Sequence, residues 1–104
     1  MSRILIIEDD EDLREGLAFS LAMDGCETAC AGTKREGMEQ LKKSRYDLVL
    51  LDCNLPDGSG YDLCTEIREY GDMPIFMLTA RNTEMDEVKA LELGAADFMS
   101  KPSS

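Results

Sequence analysis

Three short apolar runs break off in the same way, and together they constrain what this chain can become. Leu48-Val49-Leu50-Leu51 stops at Asp52 and passes into the turn residues Pro56, Asp57, Gly58 and Gly60. Arg3-Ile4-Leu5-Ile6-Ile7 stops at Glu8-Asp9-Asp10-Glu11-Asp12, and Pro74-Ile75-Phe76-Met77-Leu78 stops at Thr79 and Ala80. Short unbroken apolar runs bounded by turn signals read as strands buried on both faces, the mark of a parallel sheet. Open sheets of that kind bind ligands and do chemistry at the carboxyl ends of their strands. If the three strands are neighbours, Glu8, Asp9, Asp52 and Thr79 meet along one edge.

Between the strands the pattern changes to helical spacing. A first helix is predicted over about residues 11 to 24, with acidic residues in its first turn, Leu13, Leu17 and Leu21 at i, i+4 spacing, and Gly25 as a stop. A weak strand near 26 to 31 leads to a short helix near 34 to 43, in which Gly37 is out of character for a helix interior. Further helices are predicted over about 59 to 70, ending at Gly71, and about 83 to 93, ending at Gly94. The last strand is predicted over 95 to 100. Alternating strands and helices with short connections imply a doubly wound parallel α/β sheet joined by right-handed crossovers. Five strands in this sequence favour the flavodoxin-like order 2-1-3-4-5, whose switch point lies between the first and third strands.

At 104 residues the chain has room for one domain, read as 1–104. A formal net charge of −11 argues against direct contact with nucleic acid or an anionic membrane. No apolar run approaches a membrane span and none near the start resembles a signal-peptide core, so a cytoplasmic location is expected. Cys26, Cys30, Cys53 and Cys64 lack CxxC spacing, and the chain has no histidine to complete a mixed zinc site. They read as small apolar residues in a reducing compartment.

Carboxylates gathered at one edge repel one another unless a cation or shared proton relieves them, and a hard divalent cation is the natural partner for oxygen ligands. A nucleotide or flavin is disfavoured, because the loop after the first strand is acidic where phosphate binding calls for backbone N–H groups in a Gly- or Ser/Thr-rich loop. There is no Walker A sequence. Asp10, Glu11 and Asp12 read as capping and dipole-complementing residues of the first helix.

Taken together, Ile4 to Asp10, Asp47 to Gly60, Leu78-Thr79-Ala80-Arg81 and Gly94 to Pro102 resemble the receiver domain of bacterial two-component response regulators, in the right order and over nearly the whole chain. The Thr-Ala-Arg and Leu-Pro-Asp-Gly-Ser-Gly wording is most similar to the winged-helix transcriptional subfamily. The resemblance implies that Asp52 is the phosphoacceptor. It implies that Glu8 and Asp9 are the acidic pair, that Asp9, Asp52 and the backbone carbonyl of Asn54 hold Mg2+ (or Mn2+), and that Glu8 acts through water. Thr79 would follow the phosphoryl group, Lys101 would be the accompanying lysine and Phe98 the switch aromatic. The chemistry accords with these roles, since a carboxylate can attack phosphorus and the surrounding protein mainly positions and neutralises charge.

The resemblance further implies a sensor histidine kinase as donor, with small acyl phosphates as substitutes, because a chain without histidine cannot be its own phosphohistidine. It implies a signalling domain with self-catalysed phosphorylation and dephosphorylation, not an enzyme acting on other substrates, and control of an output such as transcription. One alternative is a phosphohydrolase of the haloacid dehalogenase type, but that chemistry wants an aspartate two residues after the nucleophile, where Asn54 stands. Another is a degenerate receiver serving only as an interaction module, against which the intact acidic set and Lys101 count. Phe98 lacks the hydroxyl of the tyrosine often found at its position, so a switch there works through burial of the ring. With the sequence stopping at Lys101-Pro102-Ser103-Ser104, the fold is expected to lack the final helix that covers the first helix and the sheet. A homodimer or a longer chain is then expected to cover that face.

Overall fold

A computed structural model describes residues 2–79 and 97–100. The elements in chain order are β1 (Arg3–Ile7), α1 (Glu11–Met23), β2 (Glu27–Ala31), α2 (Lys34–Lys43), β3 (Leu48–Asp52), β4 (Asn54–Leu55), β5 (Gly58–Ser59), α3 (Gly60–Tyr70), β6 (Ile75–Thr79) and β7 (Asp97–Ser100). Five strands form one sheet in the order β2-β1-β3-β6-β7, every pair parallel. Counting only those five strands, this is the expected order 2-1-3-4-5. The expected helix over 83 to 93 and the residues after Ser100 lie outside the described residues.

Alternation along each strand divides the core in two. Leu5, Ile7, Val49, Leu51, Ile75 and Met77 pack with Leu41 of α2 and with Leu63, Cys64 and Ile67 of α3. On the other face Ile4, Ile6, Leu50 and Leu78 pack against the half-buried Leu17, Ala18 and Leu21 of α1. Two-sided burial explains why β1 and β3 are almost wholly apolar in sequence.

The helix boundaries follow local chemistry. The Asp10 carboxylate accepts from the N–H of Leu13 at 3.2 Å and caps α1, as expected of a residue read as a cap. Thr33 caps α2 through the N–H of Glu36, and Ser59 caps α3 through the N–H of Tyr61. Ser59 therefore precedes the helix it was expected to begin. Cys26 donates its N–H to Leu21 O at 3.0 Å, finishing α1, so β2 starts one residue later than the pattern indicated. Gly37 is buried in α2 because that helix lies directly on β1: a Cβ added there would sit 2.6 Å from Ile7 Cδ1.

One element was not anticipated. The stretch after Asp52 forms a two-rung antiparallel hairpin, Asn54 opposite Ser59 and Leu55 opposite Gly58, with Pro56 and Asp57 at its apex. Two-residue strands carry too little sequence for any periodicity to register.

Candidate functional site

The register of the central strands builds the site. Ile7 pairs with Leu51, and the next step brings Glu8 alongside Asp52, while Asp52 pairs with Leu78 of β6. Glu8 and Asp52 are 0% and 1% exposed, as buried as any core leucine, whereas Asp9 is exposed. Ligand oxygens of Glu8, Asp9 and Asp52 lie within 4.8 Å of one another, and among the described residues this is the one group of acidic, cysteine or histidine side chains so gathered.

Local turns hold the two buried carboxylates. Glu8 Oε2 accepts from the N–H of Asp10 at 3.0 Å, and Asp52 Oδ1 accepts from the N–H of Asn54 at 3.2 Å. Each carboxylate thus folds over the backbone two residues on, at the point where its strand becomes a loop. The guanidinium of Arg14, one turn into α1, donates to the Glu8 carbonyl oxygen at 2.8 Å and fixes the backbone under the acidic pair. Behind Asp52, the first residue of α3 approaches so closely that a side chain on Gly60 would overlap the Asp52 carbonyl oxygen. Gly60 also donates its N–H to Cys53 O at 2.9 Å. Glycine at this position is therefore what lets α3 start directly behind the buried carboxylate.

The cluster suits a hard divalent cation. Mg2+ sits about 2.1 Å from each ligand oxygen, so two oxygens on one ion are at most about 4.2 Å apart. Ligand oxygens gathered within 4.8 Å of one another can close on one such ion directly or through water. Glu8, Asp9 and Asp52, all oxygen donors, are the residues that would hold it.

The structure brings together three of the residues singled out in the sequence and places the backbone of three others. Asn54 lies on β4 with its side chain exposed. Thr79 ends β6 opposite Ser100, and Phe98 pairs with Met77 by backbone register. Lys101 lies outside the described residues. Sequence reasoning missed Arg14, because nothing in a helical repeat marks an arginine that turns back to a strand carbonyl. It also missed the contacts of Asp57, which it read only as a turn residue. The cysteines carry no disulfide, and Cys53 and Cys64 are buried. Burial is the main cause holding the Cys64 thiol above its ordinary pKa, with the neighbouring Arg68 opposing the shift.

Comparison with known proteins points one way. Residues 4–104 match the family described as the response regulator receiver domain. The chain is 42% identical over 104 residues to the sensory transduction protein RegX3 of Mycolicibacterium smegmatis, covering 100% of this chain and 46% of that protein. It is 41% identical over 102 residues to the transcriptional regulatory protein AfsQ1 of Streptomyces coelicolor, covering 98% and 45%. It thus spans just under half of each of these relatives. The crystal structure of a two-component response regulator from Clostridium difficile superposes with a TM-score of 0.96 at 32% identity, covering 100% of this chain and 86% of that one. No helix of the described residues is long and apolar enough to cross a membrane.

Proposed function

We propose, from the premise that this chain belongs to the response regulator receiver domain family of two-component signalling, that it accepts a phosphoryl group on Asp52 and passes on the resulting change in conformation. The observation that carries this reading is the buried Asp52 carboxylate at the end of a central strand, within 4.8 Å of Glu8 and Asp9. The 104 residues are read as one receiver domain.

In the proposed step an Asp52 oxygen attacks phosphorus. A new O–P bond forms as the P–N bond of a kinase phosphohistidine breaks, and the donor imidazole takes the electron pair. With a small acyl phosphate the bond broken is P–O and a carboxylate leaves. Mg2+, when bound by Asp9, Asp52 and the Asn54 carbonyl with Glu8 acting through water, supplies charge neutralisation for the phosphoryl oxygens. The chain supplies alignment: the Asn54 N–H on Asp52 Oδ1 holds the nucleophile in one orientation. Thr79 and Lys101 are assigned to the transferred group and Phe98 to the switch, on the family resemblance. A conformational equilibrium biased by these contacts would control the output, and regulation of transcription is the output that the similarity to AfsQ1 supports. A cytoplasmic location and a sensor histidine kinase as partner complete the reading.

The test is intact-mass measurement after incubation with a small acyl phosphate. Wild type should gain one phosphoryl group only when Mg2+ is present and lose it in hydroxylamine, whereas Asp52→Asn should gain none, because an amide is not a nucleophile. Equal labelling of the variant would refute the assignment.

A further inference from the structure

Asp57 makes two contacts that a turn residue does not need. Its Oδ1 accepts from the N–H of Lys34 at 2.8 Å and its Oδ2 from the N–H of Arg35 at 3.1 Å, so both oxygens are spent on the first turn of α2, more than twenty residues earlier in the chain. The usual capping function of α2 is already filled, since Thr33 Oγ1 accepts from the N–H of Glu36 at 3.1 Å. Asp57 takes the remaining early N–H groups, where a carboxylate is also favoured by the helix dipole. The stem of Lys34 lies over the same loop, close enough that a Cβ on Gly58 would be 2.9 Å from its Cδ.

This contact bears on the acidic site because Asp57 is at the apex of the β4–β5 hairpin that begins two residues after Asp52. One side of the hairpin is anchored by the buried Leu55. Its base is tied to Asp52 by the Asn54 N–H, and its end runs into α3 through the Gly60 N–H on Cys53 O. Among the described hydrogen bonds, those of Asp57 tie the apex to another element. Asn54 lies on the near strand of that hairpin, one residue from Leu55, so the aim of its carbonyl depends on how the apex is held.

We propose that Asp57 is a positioning residue: by clamping the hairpin apex to the first turn of α2 it holds the Asn54 carbonyl where Mg2+ is bound, and it links occupancy of the acidic site to the start of α2. The proposal rests on the receiver reading above. By linkage, if the clamp favours the cation, the cation favours the clamp to the same extent. The effect falls on affinity for the cation and not on the nucleophile, because both Asp57 oxygens are engaged by the Lys34 and Arg35 N–H groups of α2.

Mg2+ titrations followed by NMR, and phosphorylation by a small acyl phosphate across a range of Mg2+ concentrations, test this in four forms of the chain. Asp57→Ala should weaken Mg2+ about tenfold, the low end for residues that orient metal ligands. Its phosphorylation rate at saturating Mg2+ should stay within about twofold of wild type. Asp57→Asn, which keeps one acceptor oxygen, should fall between. Thr33→Ala removes the ordinary cap of the same helix and should leave Mg2+ affinity unchanged, which separates the clamp from a general weakening of α2. In wild type, Mg2+ should slow hydrogen exchange of the Lys34 and Arg35 amides, and in Asp57→Ala it should not. Unchanged Mg2+ affinity in Asp57→Ala, or equal losses in Asp57→Ala and Thr33→Ala, would overturn the clamp while leaving the receiver reading intact. A wild-type chain that neither binds Mg2+ nor takes a phosphoryl group would overturn both.

Discussion

Neighbouring aspartates in this chain carry different duties, and substitution should separate them. Asp9 belongs to the acidic cluster, whereas Asp12 lies exposed in the first turn of α1. Asp9→Ala should weaken Mg2+ at least about tenfold in a calorimetric titration, and Asp12→Ala should leave it within about twofold. Without the cation Asp9→Ala should melt higher than wild type, because one like charge has left a crowded edge. Asp57 gives a second test at this scale. The Lys34 N–H is the first cause holding its carboxyl below the ordinary range, with the Arg35 N–H adding to it and desolvation opposing. A depressed carboxylate stabilises the fold at pH values above its unfolded pKa of about 3.9, and that contribution disappears as pH falls through the lower folded value. The melting temperature of wild type should therefore exceed that of Asp57→Asn near neutrality, and the gap should close below about pH 4. A constant gap down to pH 2 would contradict the contact. Residues such as Asp10 were legible in the sequence because a cap bonds to its own helix. Asp57 was not, because its partners are set by the tertiary fold.

At the scale of elements, two helical glycines look alike in sequence and have opposite roles. In α1, apart from its chain neighbours and the helix's own backbone, no heavy atom of the described residues lies within 4 Å of a Cβ built on Gly16, so Gly16→Ala should stabilise by up to about 1 kcal/mol through helix propensity alone. In α2 the same change at Gly37 drives a methyl group to 2.6 Å from Ile7 Cδ1 and 3.1 Å from Cγ1, inside the packed core. Overpacking typically costs about 1–3 kcal/mol, which outweighs the propensity gain, so Gly37→Ala should lower the urea midpoint. Adding Ile7→Val, which removes the clashing carbon, should recover part of that loss and give a favourable coupling energy in a double-mutant cycle. Composition alone marked Gly37 as a weak point of the helix. Only the helix-to-strand distance shows that it is the residue that lets α2 lie against β1. The β4–β5 hairpin was illegible for a different reason, since two rungs are too short for any alternation to appear.

Over the whole molecule the reading from sequence held where many residues vote together. The strand order and the meeting of Glu8 with Asp52 follow from unbroken apolar runs and right-handed crossovers, while the division of the core between α1 and the α2/α3 face is given by the structure. Where an expectation rested on one side chain, the structure adds only the backbone register of Phe98, and Lys101 lies outside the described residues. The parallel pairing of β1 with β3 has a kinetic consequence. Glu8 and Asp9 come early in the chain, but Asp52 joins them only after the second crossover closes and Ile7 finds Leu51. Such long-range pairing is slow to form, and the loops beyond the strand ends are expected to order after the rate-limiting step. Mg2+ at about ten times its dissociation constant should therefore slow unfolding roughly tenfold and leave the refolding rate nearly unchanged in stopped-flow measurements. Faster refolding with Mg2+ would mean that the acidic edge assembles before the barrier. On the expected result, the cation sets how long a folded chain survives, not how quickly it arises.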